Sequence, residues 1–194
     1  MSKSDPSSQK KERNKTIRWV VTIFLVTILV SGTISLVSEE IMAASSMAVA
    51  FCILLAIVFI GIIFDIIGVA VTSADEKPFH SMAARKVPGA QDAIKLLRNA
   101  ERVSSICNDV VGDICGVVSG SASATIAAQL LANFEFSAPQ IVGLVMSALV
   151  AGLTVGGKAV GKTFAMNSCT AIVHTVGRIV HWLKSLKPSS KKKS

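Results

Sequence analysis

Over most of this chain the apolar residues neither alternate nor form a narrow stripe; they run on without a polar face. Four stretches are long enough to cross a hydrocarbon core, which takes about 20 apolar residues. They are 17–37, uncharged after Arg18; 47–73, interrupted only by Asp65; 105–133, rich in small residues and carrying Asp109 and Asp113; and 139–160, with Lys158 near its end. A soluble four-helix bundle would show polar residues at every third or fourth position. The first two stretches show none of that periodicity, so the expected fold is an all-α membrane protein with four transmembrane helices. The first stretch exceeds the ~7–15-residue apolar region of a cleaved signal, and no Ala-x-Ala site closes it within reach. It is expected to stay as a membrane helix.

Between and after the spans the pattern changes to amphipathic. Ser73-Ala74-Asp75-Glu76 has the S-x-x-E spacing of a capping box, which predicts a helix starting directly after the second span. Val87-Pro88-Gly89 should break it, because proline disfavours helix in the residue before it. A second short helix is expected beyond, with Ala93, Ile94, Leu97 and Val103 roughly on one face. After the fourth span, Ile172, Val176, Ile179, Val180 and Leu183 predict an amphipathic juxtamembrane helix over 166–187, with Trp182 as an interfacial anchor. Segments 1–16 and 188–194 are polar and basic, and are expected to be disordered.

Composition sharpens the membrane reading. The 194 residues are 51% hydrophobic and 16% charged, against about 25% charged in ordinary globular domains. Charge segregation then sets orientation. Of the 20 Lys and Arg, six lie in the N-terminal tail through Arg18, six in 74–104 and eight from Lys158 onward. Connections 38–46 and 134–138 hold only Glu39, Glu40 and Glu135. The positive-inside rule therefore places both termini and the long middle connection in the cytoplasm, with the chain as a multi-pass protein of the cell (plasma) membrane. The net charge of +8 is accounted for by topology, with contact between the basic tails and anionic lipid as a further use. It calls for no nucleic-acid partner. Four scattered cysteines, Cys52, Cys107, Cys115 and Cys169, suggest neither a disulfide framework nor a zinc site.

Ionisable residues at membrane depth are functional candidates, because each costs about 2.5–3.5 kcal/mol at the bilayer centre. On the second span Gly61, Asp65, Gly68 and Thr72 share a helical face. On the third, Asp109, Asp113, Gly116 and Gly120 form one stripe, and Asn108, Gly112, Ser119 and Ser123 its neighbour. Carboxylate, amide and hydroxyl oxygens on facing helices are hard ligands suited to Mg2+. The competing reading is close packing of small residues. A rival to metal at Asp109 and Asp113 is neutralisation by Lys158 or Lys162 from the fourth span.

Gly156-Gly157-Lys158-Ala159-Val160-Gly161-Lys162-Thr163 satisfies the P-loop pattern, but a long apolar helix precedes it where a strand is required. No nucleotide partner is expected. Nor is an enzyme: the spans hold no Ser–His, His–Cys or H-E-x-x-H arrangement.

From the second span onward the chain resembles the transmembrane domain of the CNNM/CorC magnesium-transport family. Ser73-Ala74-Asp75-Glu76 followed by Ser81 is similar to the family's S-[AG]-x-E-x-x-x-x-S motif. Pro88-Gly89-Ala90 and Leu96-Leu97-Arg98-Asn99-Ala100-Glu101-Arg102 are similar to its G-A…L-L-x-N-P-x-R stretch, with Ala100 where proline is usual. Gly112-Asp113 resembles its G-N, with Asn108 as the alternative bearer of the amide. Gly157-Lys158-Ala159-Val160-Gly161-Lys162 is similar to G-E-I-x-P-K, with Lys158 for Glu and Gly161 for Pro. The resemblance covers residues 47–165, leaves 17–37 as an extra helix, and suggests a short form lacking the family's CBS pair. It implies a homodimer that moves Mg2+ through a site holding Ser73 and either Asp113 or Asn108. Together with the stripe, the expected metal set is Ser73, Asn108, Asp109, Gly112 and Asp113, with Asp65, Thr72 and Lys158 along a transport path. The alternative function is a non-transporting membrane protein that binds partners through its basic tails and surface helices.

Overall fold

The computed structural model describes residues 6–134 and 139–186. The basic tail at 188–194, the first five residues and Glu135 of the 134–138 connection lie outside them. Within them the chain is helical, with no strand. The elements are α1 (Pro6–Ala43), α2 (Met47–Ser73), α3 (Lys77–Ala84), α4 (Ala90–Leu97), α5 (Ala100–Asn133), α6 (Pro139–Asn167) and α7 (Cys169–Leu186). Helix α5 is continuous but is π-wound from Ile106 to Gly112. Among the described residues, four segments are long and apolar enough to span a membrane: Ile17–Met42, Met47–Ser73, Ala100–Asn133 and Pro139–Asn167. Phe24, Leu29, Leu36, Phe59, Leu144 and Leu149 are exposed on them. That much outward apolar surface is stable only against hydrocarbon, where helices also satisfy their own backbone.

Helix α2 is central and packs against α5 and α6, while α1 lies outside against α5 and α2. Two apolar clusters hold the bundle. One joins Met42, Leu54, Val58, Ile126, Met146 and Val150 toward the Met47 end of α2. The other gathers Val69, Val71, Phe79, Ile94, Ala165 and Val173 toward its Ser73 end, the basic end of the molecule. Phe79 is fully buried and pins α3 onto the bundle, a burial that stabilises by roughly 1.5–3 kcal/mol.

Several local expectations are corrected. Ser73 does not cap a helix: it is the last residue of α2, and α3 starts only at Lys77, with Glu76 before it and Pro78 in its first turn. Asp75 Oδ1 instead accepts the Lys77 N–H at 3.2 Å. The second surface helix is shorter than its apolar pattern, because α4 ends at Leu97 and Val103 belongs to α5. Helix α1 reaches back to Pro6, into the segment for which no regular structure was expected. The break at Val87-Pro88-Gly89 is present, built on Lys86 at φ 56° and Gly89 at φ 85°.

Candidate functional site: a polar layer between two apolar clusters

The two apolar clusters are separated by a layer of polar residues contributed by α2, α5 and α6. On α2 the cluster toward Met47 ends near Ile62 and the basic-end cluster begins near Ile66, with Asp65 between them. Lys158 of α6 enters the layer with Nζ 3.9 Å from Asp65 Oδ1. Both side chains are substantially buried, at 13% exposure for Asp65 and 27% for Lys158. The separation satisfies an ion pair and is too long for a hydrogen bond. Two charges at this depth are tolerable because they neutralise one another.

Helix packing fixes that meeting. Gly157 and Gly161 of α6 lie directly against Ile62 and Ile66 of α2; a Cβ at Gly161 would stand 2.8 Å from Ile66 Cγ1. These contacts bracket Lys158 on one helix and Asp65 on the other, so they set the register of the pair. On α5, Cys115 packs against Gly61, where an added Cβ would stand 2.9 Å from Cys115 Cβ, and Asn108 lies against Gly68. Small residues thus let three backbones approach closely.

The π-wound stretch supplies the remaining part of the layer. It places Gly112 beside Lys158, where an added Cβ would stand 3.4 Å from Nζ. It also turns Asn108 into the α2 contact. Asn108 Nδ2 donates to Ser104 Oγ at 3.3 Å, whereas Asn108 Oδ1 is buried without a hydrogen-bond partner. Buried carbonyl oxygens are rarely left without a partner, and π-wound turns occur often at functional sites.

Of the sequence-derived residues, Asp65, Lys158 and Gly112 come together here, and Asn108 packs against Gly68 one turn further along α2. Asp109 and Asp113 do not join them: both are exposed, and Asp109 Oδ2 accepts the Ser105 hydroxyl at 2.8 Å. Gly116 and Gly120, which continue their stripe, also face open space. The packed side of α5 is the neighbouring stripe, with Gly112, Ser119 and Ser123 buried. Ser73 is exposed at the end of α2, and Thr72 donates to its own helix at Val69 O, 2.9 Å away. Among the described residues, no group of three or more His, Cys, Asp or Glu is placed to hold a metal ion.

A second polar centre, outside the spans, was not singled out from the sequence. Asp92 of α4 is buried, with Lys184 Nζ donating to Oδ1 at 2.7 Å, His181 Nδ1 3.2 Å from Oδ2, and Lys95 Nζ 3.6 Å from Oδ1. The Lys184 hydrogen bond holds the Asp92 carboxyl below the usual carboxylate range; burial opposes it, and His181 and Lys95 assist. Nearby, Arg98 Nε donates to Glu76 Oε1 at 2.7 Å and lowers that carboxyl in the same way. The available signal was an acidic residue in the first turn of a short helix, with His181 and Lys184 three residues apart on another. These contacts tie α4 to α7 and clamp the basic end.

No family model matches the chain, and neither a curated protein nor a solved structure matches it. The fold by itself defines a multi-spanning helical membrane protein, consistent with a transporter-like architecture.

Proposed function

We propose that this protein is a transporter-like integral membrane protein that binds a cation in the α2–α5–α6 polar layer, with Mg2+ as the ion. The observation carrying the reading is the unpartnered, buried Oδ1 of Asn108, packed against Gly68 of α2 one helical turn from the Asp65 carboxylate. Together they offer two hard oxygen ligands, and Mg2+ commonly keeps several of its waters, so full protein coordination is not required. The resemblance to the CNNM/CorC transmembrane domain supports the choice of ion and a homodimer. Open glycines at Gly152 and Gly156 on α6 leave room for a second copy. The Lys and Arg distribution supports a plasma-membrane protein with cytoplasmic termini, so the Ser73 end of α2 faces the cytoplasm and anionic lipid. In this reading Asp109, Asp113, Ser73 and Thr72 lie on the approach and Asp65 and Asn108 at the binding position.

The second reading, a non-transporting protein that binds partners through its basic surface, is favoured by one observation: Lys158 already neutralises Asp65. A Mg2+ titration of the thermal stability of the purified full chain separates the two. Saturable stabilisation that is lost in Asp65→Asn supports the cation site. A flat response from the wild-type protein rejects it.

A further inference from the structure

We infer that the Lys158 ammonium is the built-in occupant of the cation position, and that an incoming divalent cation binds by displacing it from Asp65. The inference rests on the cation-site reading above and adds what controls that site. Its first support is register. Gly157 and Gly161 lock α6 against Ile62 and Ile66, so Lys158 is delivered to Asp65 by the packing of two helices and not by a chance rotamer. Its second is space. Gly112 carries no side chain where Nζ sits, and a methyl there would already be in contact with the ammonium at 3.4 Å.

Its third support is the looseness of the pair. At 3.9 Å the ammonium neutralises Asp65 without a hydrogen bond that would hold it in one geometry. The long, flexible lysine stem lets the charged head leave for the aqueous boundary while its methylenes stay against apolar surface. The residual exposure of Lys158, 27%, leaves such an exit open. Meanwhile the Asn108 oxygen lies against Gly68, three residues past Asp65 and about 4.5 Å further along the α2 axis toward the basic end. An ion arriving from that end meets the amide oxygen first and the carboxylate second. While Lys158 is in place, the carboxylate is neutralised and Mg2+ gains little there. Once the lysine swings away, the ion takes over its partner.

A tethered competitor weakens apparent affinity by one plus the ratio of its effective concentration at the site, of millimolar order for short tethers, to its own dissociation constant there. Lys158→Gln should therefore shift the midpoint of Mg2+-dependent stabilisation to concentrations lower by about tenfold or more. The measurement uses the full chain in lipid nanodiscs with Mg2+ alone, comparing wild type, Lys158→Gln and Asp65→Asn. Equal midpoints for wild type and Lys158→Gln overturn the displacement while leaving the cation site standing. Absence of any saturable response in both overturns the site itself. Should Lys158→Gln fail to fold, the wild-type protein supplies the second measurement. Acylation by a small amine-reactive ester, read by mass spectrometry, should rise at Lys158 relative to Lys162 when Mg2+ saturates. An unchanged ratio at a Mg2+ concentration that stabilises the protein overturns the inference.

Discussion

Gly177 and Gly89 touch where α7 crosses the start of α4: a Cβ added to Gly177 would stand 2.7 Å from the Gly89 carbonyl oxygen and 2.9 Å from Ala93 Cβ. Backbone lies on one side of that contact, so no flexible side chain can yield. Gly89 is further constrained by its φ of 85°, which side-chain-bearing residues rarely adopt. Gly177→Ala should push α7 off α4 at a cost of about 1–3 kcal/mol, the usual range for overpacking. Hydrogen exchange provides the check: Cys169–Leu186 should lose protection in the variant, while α2 and α6 keep theirs.

The Asp92 clamp gives the same docking a pH dependence. Its carboxyl is held low in the folded protein, first by the Lys184 hydrogen bond. The clamp's contribution is therefore full above the ordinary carboxylate value of about 3.9 and is lost as the pH falls from there through the lowered value. Because Lys184 remains largely in water, the contribution should be about 1 kcal/mol, below the usual range for charged hydrogen bonds and at the top of that for exposed ion pairs. Thermal unfolding of wild type and Asp92→Asn between about pH 3 and pH 7 tests it. The difference between them should shrink toward acid; a constant difference would mean that the carboxylate charge is not what Asp92 contributes. Glu76 titrates in the same direction in both proteins, so the comparison cancels it.

The helices were legible because hydrocarbon imposes a length and composition that nothing else in the chain imitates. Met47–Ser73 is bounded identically by its apolar run and by its backbone. What was less legible depends on how helices meet. Ser73 matches a capping box, but the S-x-x-E pattern does not reveal whether the serine backbone has already left the preceding helix. The rival to metal sets Lys158 or Lys162 against Asp109 and Asp113, yet Lys158 meets Asp65. Periodicity defines the stripes on one helix, whereas register between helices comes from contacts such as Gly157 on Ile62. The two α5 stripes were distinguishable, but not which would be packed. The π-wound stretch, which turns Asn108 and Gly112 inward, has no signature in residue type.

The contact between Gly68 and Asn108 joins the packing to the proposed chemistry. A methyl at Gly68 would occupy the space of the Asn108 side-chain oxygen, so Gly68→Ala must displace that amide or shift the π-wound stretch of α5. Gly143 is the natural control, since a Cβ there meets nothing within 4 Å. In a helix interior, alanine is favoured over glycine by about 1 kcal/mol, so Gly143→Ala should be neutral or mildly stabilising. Gly68→Ala should instead destabilise by roughly 1–3 kcal/mol, as overpacking outweighs that gain. The functional consequence is separable from stability. With Asn108 displaced, the cation site loses one of its two inner oxygens while the Asp65–Lys158 pair stays in register, because Gly157 and Gly161 are untouched. At temperatures where both variants are folded, Gly68→Ala should therefore need more Mg2+ for half-maximal stabilisation, and Gly143→Ala should match the wild-type protein. Equal midpoints in all three proteins would remove Asn108 from the site.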